Sequence, residues 1–286
     1  MKNKKLTKRK DAVAGVIEAL LLVALVAIII STIQLVYVPQ MMEQRESDHM
    51  DDTENQFSYL KSVIDLQSMV KEDVPISSPI TLGSRELPYF VTARAFGQLD
   101  IIDKDRTDDY ILTDFLNVPL TSIKYKAHNS YFIDQTYALE GGGVIVKQPD
   151  GETVKVEPAI TKKNESAEIK LYYNIPVITG VSGKNATSGY KNCFIRTNYS
   201  YQDTPPGGST TYIRFYTDYL DAWNSSLNKL LEEEVENGYI VIEKRFIGPL
   251  ECVSITPSSG PSSKNLYIEF TLTYIGAQIG PGVVIP

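Results

Sequence analysis

Apolar positions fall along this chain in three regimes. From Val13 to Val38 they run almost without a break; only Glu18, Ser31, Thr32 and Gln34 are clearly polar. At ~1.5 Å per residue a helix over that span is about 39 Å long, enough to cross a hydrocarbon layer of about 30 Å. Past Pro39 the period changes. In "FSYLKSVIDLQSMV", Phe57, Leu60 and Ile64, with Val63, Leu66, Met69 and Val70, fall near helical spacing. This predicts an amphipathic stalk over 39–73, ended by the prolines of "VPISSP".

From about Ile80 on the pattern is strands and turns. In "LYIEFTLTY", Leu266, Ile268, Phe270 and Leu272 alternate with Tyr267, Glu269, Thr271 and Thr273, the pattern of a half-buried strand. "GGGVIVKQPDGETVKVEP" reads as a hairpin turning at Pro149-Asp150-Gly151. "AEIKLYY", "YIRFYT" and "YIVIEKRF" add strands. One helix is predicted from Asp218 to Asn237, with Leu220, Trp223, Leu227, Leu230 and Leu231 on one face and Gly238 as its stop. The expected class is α+β: a long transmembrane and stalk helix followed by an antiparallel, sandwich-like domain over 74–286 with one packed helix.

Charge orients the apolar run. Six basic residues precede it, opposed only by Asp11, and Glu43, Glu46, Asp48, Asp51 and Asp52 follow it. This predicts a single-pass protein in the cell membrane, N-terminus in the cytoplasm and β domain outside. The formal net charge is -7, and the acidic bulk argues against nucleic acid as a partner. A secretory signal has a shorter apolar region and a small-residue cleavage site after it. Here Tyr37, Val38 and Pro39 follow instead.

The junction Lys10-Asp11-Ala12-Val13-Ala14 resembles the class III signal of prepilins, which is cut before the apolar helix. "DAVAGVIEALLLVA" is similar to the opening of archaeal type IV pilins. The resemblance implies a leader over 1–12, cleavage between Ala12 and Val13 by a prepilin peptidase, and a retained helix over 13–38. That helix would anchor the subunit and pack against like or related pilin subunits. It also implies a role for Glu18, since many bacterial pilins pair a glutamate with a neighbour's N-terminal amine. Cleavage after Ala12 makes Glu18 the sixth residue rather than the fifth, so an alternative stands: a carboxylate reaching back to the cytoplasmic interface. "VPISSPITLGSRELPYF", "YALEGGGVIVKQPDGETVKVEPAI" and the Asp221-Ala222-Trp223-Asn224 helix resemble a family of archaeal membrane proteins with pilin-type N-termini. That likeness covers most of the chain and names no activity.

Chemistry-bearing residues are sparse. His49 and His128 sit in unrelated contexts, and Cys193 and Cys252 lack zinc spacing. Outside the cell the two cysteines allow one disulfide; the alternative is two buried thiols. Asn164, Asn185, Asn198 and Asn224 open glycosylation sequons. "DKDRTDDYILTD" has alternate acidic spacing but no central glycine and no closing glutamate, so it reads as a solvated loop rather than a calcium site. Gly141-Gly142-Gly143 leads into a strand and reads as a turn rather than a phosphate loop. No nucleophile elbow is present. The expectation is a non-enzymatic archaeal surface protein, pilin-like, without a cofactor. Its alternative is an anchored ectodomain that binds envelope glycan or a protein partner without assembling.

Overall fold

The computed structural model describes residues 4–84 and 95–281, with side chains from Ala14 onward. The chain opens with a helix α1 (Lys4–Thr32), a π-helical turn (Ile33–Tyr37) and a helix α2 (Val38–Val70). These run on without a break. In the π turn Val38 N–H reaches the Ile33 carbonyl. The wider turn opens the hydrogen-bond ladder where the Pro39 ring would meet the Leu35 carbonyl of a regular α-helix. Pro39 is thus accommodated in the first turn of α2, and the expected stalk continues the span directly.

A mostly β-sheet domain follows, in three sheets. The first holds β1 (Ile76–Thr81), β12 (Asn192–Asp203), β17 (Asn265–Ile279), β10 (Glu168–Gly180) and β9 (Ile160–Asn164), in that order, with β13 (Gly208–Thr210) on β17. The second runs β11 (Ala186–Gly189), β2 (Phe96–Ile102), β5 (Ser122–His128), β6 (Thr136–Glu140), β7 (Gly143–Gln148) and β8 (Gly151–Val156). The third runs β15 (Ile240–Ile247), β16 (Leu250–Pro257), β14 (Ile213–Tyr216), β3 (Tyr110–Leu112) and β4 (Asn117–Pro119).

The coarse expectation, helix followed by β domain, holds. One pairing departs from an all-antiparallel set: β10 and β17 run parallel, from Glu168 beside Asn265 to Gly180 beside Ala277. The crossover between them carries β11 to β16 and the helices α3 (Leu220–Leu230) and α4 (Glu232–Glu236). The helix expected over 218–237 is therefore broken at Leu231, and Gly238, at φ 68°, ends it as expected.

Two apolar cores lie within this domain. One joins Trp223 and Leu227 of α3 to Phe215, Val253, Ile255 and the first halves of β10 and β17. The other seats Met50, Phe57, Leu60 and Ile64 of α2 against Leu99, Ile123, Tyr125, Ile178 and Ile275. The β6–β7 hairpin stands between them. Tyr137, Leu139, Val144 and Val146 face the α2 core, while Ala138 and Ile145 face the other. A strand pair buried on both faces reads as a continuous apolar run, which "GVIV" is. Gly141 and Gly142, at φ 55° and 80°, close the hairpin with the left-handed turn that matches strand twist.

Candidate functional site

From Ala14 to Tyr37 every described side chain except Ile33 is exposed, and the helix is long and apolar enough to span a membrane. Its polar atoms fit such a setting: the Thr32 hydroxyl donates to the Ile28 carbonyl at 2.9 Å. Glu18 lies near the start of this exposed stretch. The side chains of Ala12 and Val13 lie outside the described residues.

The exposed regime stops abruptly. Val38, Met42, Glu46, Met50, Thr53, Phe57, Leu60 and Ile64 form a buried stripe at helical spacing. Several buried residues of this face are polar and make hydrogen bonds to the domain. Glu46 accepts the backbone N–H groups of Ser130, Tyr131 and Phe132 at 3.1, 2.7 and 2.7 Å. His49 Nε2 lies 3.0 Å from the Tyr125 hydroxyl, which itself donates to the Leu82 carbonyl. The ring must therefore donate from Nε2. Burial pushes its pKa down to about 4, so it is neutral. Gln67 donates to the Thr197 and Val74 carbonyls at 2.9 and 3.1 Å. Leu66, Met69 and Val70 are exposed.

A second concentration of polar groups sits where β6 ends. Glu140 is fully buried; its Oε1 accepts from Thr217 Oγ1 at 2.6 Å and from Trp223 Nε1 at 2.9 Å. Its Oε2 has no hydrogen-bond partner among the described residues. Burial, reinforced by the charge of Asp109, pushes this carboxyl up to about 8. Asp109 is itself raised to about 6, by burial first and by Asp218 next. Lys124 and Lys147 flank the group, with their ammonium groups over the Tyr219 ring and on Asp218. Nothing in the sequence pattern marked Glu140. Its only signal was a carboxylate inside an apolar run.

The other expectations resolve residue by residue. Cys193 and Cys252 are both free thiols. They lie on β12 and β16, strands of different sheets, with Cys252 buried and Cys193 half-buried. Burial raises Cys193 to about 11. Asn198 is 1% exposed, with its amide bound to Asp73, so it offers no room for a glycan in the folded domain. Asn164 is exposed at the end of β9, beside Lys264 and Glu234. Asn185 is half-buried with its amide toward Asp103, and Asn224 is half-buried on α3. The Asp103 loop is closed by its own turn and by Arg106, which donates to Asp100 at 3.0 Å. Among the described residues no three His, Cys, Asp or Glu side chains converge as metal ligands. A groove of about 300 Å³ beside α3 is lined by Glu157, Ile160, Ser226 and Lys229. Its polar groups are taken up by one another, Ser226 and Lys229 both binding Glu157.

No protein-family model, curated protein or solved structure matches the chain.

Proposed function

We propose that the chain is a non-enzymatic archaeal cell-surface protein held by one membrane-spanning helix, with a type IV pilin-like N-terminus. A prepilin peptidase removes residues 1–12, the N-terminus faces the cytoplasm, and the β domain stands outside. One observation carries the reading: an apolar helix, exposed from Ala14 to Tyr37, continues without a linker into α2, which is seated in the β domain. Such a helix holds the domain in fixed register to the membrane or to sister helices. Mass spectrometry of the N-terminus of membrane-derived protein tests it. A peptide beginning at Val13 is expected; an intact Met1 or Lys2 overturns the processing step.

A second reading is an anchored ectodomain that binds envelope glycan without assembling. It is favoured by the exposed Tyr201 ring stacked on Tyr274, with centroids 4.2 Å apart on the β12–β17 surface. Aromatic faces of this kind suit sugar rings. Shearing separates the two: a subunit enters the filament fraction, and an ectodomain stays with the membrane.

A further inference from the structure

The contacts of the second sheet descend α2 in order. Phe57 meets Tyr125 and Tyr137, His49 meets Tyr125, the Tyr137 hydroxyl donates to the Met50 carbonyl, and Glu46 binds the 130–132 backbone. The far end of α2 points away, with Gln67 on Thr197 and Val74. The connection between β5 and β6, residues 129–135, is therefore the end of this sheet nearest the apolar span. Glu46 lies about 13 Å along the helix from Tyr37. Val38 and Met42, further down the same face, are buried too.

At this end apolar and aromatic side chains stand exposed beside Ser130, Asp134 and His128. Tyr131 is 38% exposed, Ile133 46%, and Phe96, paired with His128 at the edge of β2, 44%. Each headgroup layer adds about 5–7 Å to the hydrocarbon core. Rings with one wet end and one apolar body partition into that layer. We infer that the 129–135 loop is a lipid-contacting foot: Tyr131 and Ile133 rest in the outer headgroup layer, with Phe96 beside them. The three N–H bonds to Glu46 fix the loop to the helix, so the foot and the span move as one body. Glu46 stands further from Tyr37 than the headgroup layer is thick, so a helix tilted toward this side, within the ordinary range of about 20°, is what brings Tyr131 and Ile133 down to that layer. This inference rests on the membrane-anchored reading of the chain.

Tryptophan placement in the full chain tests it, reconstituted into vesicles of ordinary or brominated phosphatidylcholine. The single native tryptophan, Trp223, is buried, and the unsubstituted chain gives its background. Ile133→Trp and, as the more conservative variant, Tyr131→Trp should lose emission to brominated lipid. Val23→Trp, in the span, should lose it as well, and Val74→Trp, at the far end of α2, should not. Quenching at position 23 without quenching at 131 or 133 overturns the foot and leaves the anchor standing. Equal quenching at 74 and 133 also overturns it, since the contact would then be unspecific. Absence of quenching at 23 removes the anchor and the foot together.

Discussion

The Trp223 indole N–H donates to the Glu140 carboxyl at 2.9 Å, inside the core and away from water. The bond ties α3 to the end of β6, beside the turn that divides the two cores. Thr217 donates to the same oxygen, so one carboxyl organises the chain entering α3 as well as the helix itself. Burial makes the charged form costly, and Asp109 adds repulsion, so Glu140 holds its proton at neutral pH.

A buried acid of this kind makes stability depend on pH in a defined direction. The folded protein holds the proton up to about pH 8, whereas an unfolded glutamate releases it near 4.5. The stabilisation is complete below 4.5 and is lost as pH rises to about 8. Its full span is on the order of 5 kcal/mol. Asp109, raised to about 6, acts in the same sense over a lower window. Glu140→Gln keeps an acceptor for Trp223 and Thr217 and carries no titrating proton. Its denaturant midpoint should exceed that of the unsubstituted chain at pH 8 and lose the advantage at pH 5. A parallel pH dependence in both proteins would mean that Glu140 is ionised in the fold.

The packed half of the N-terminal helix can be separated from its exposed face by truncation. Phe57 is buried between the Tyr125 and Tyr137 rings, and Phe57→Ala should cost roughly 3–5 kcal/mol. Leu66 is half exposed, and Leu66→Ala should stay within about 0.5 kcal/mol. Urea unfolding of the full chain in detergent, followed by far-UV circular dichroism, reads both. Similar costs for the two would show that α2 is not seated as described.

Much of the architecture was legible because it is written in local periods. The span is a composition signal. The strand around Ile268 and Phe270 alternates as strands do, and Pro149-Asp150 closes its hairpin at Gln148 and Gly151. What was hidden depends on partners distant in sequence. Nothing local says that β10 and β17 pair in parallel. Which side of α2 is buried is not set by hydropathy alone. Glu46, Thr53 and Gln67 are buried with hydrogen bonds to backbone groups, whereas Met69 and Val70 are exposed. The same blindness concealed Glu140, and it left Asn198 looking like a surface acceptor although Asp73 holds it inside.

The Gly141-Gly142 turn was legible as a turn, but its position between two cores makes it far less tolerant than its sequence suggests. Gly141 has φ 55°, where a side chain costs about 1–2 kcal/mol. A Cβ there would also sit 2.5 Å from the Tyr173 hydroxyl and 3.0 Å from the Trp223 ring. The Tyr173 hydroxyl cannot simply withdraw, because it donates to the Gly141 carbonyl at 2.7 Å and is itself buried. Adding the strain of overpacking, Gly141→Ala should cost roughly 2–4 kcal/mol. It should also shift Trp223 emission, since the ring must move. Gly151, in the neighbouring hairpin, has open space around its Cβ position and no positive φ, so Gly151→Ala should be nearly neutral with Trp223 emission unchanged. Thermal unfolding and Trp223 fluorescence of the two variants decide the matter. If both are equally mild, the β6–β7 turn is a surface connection; if only Gly141→Ala is costly, it is the wall on which both cores close.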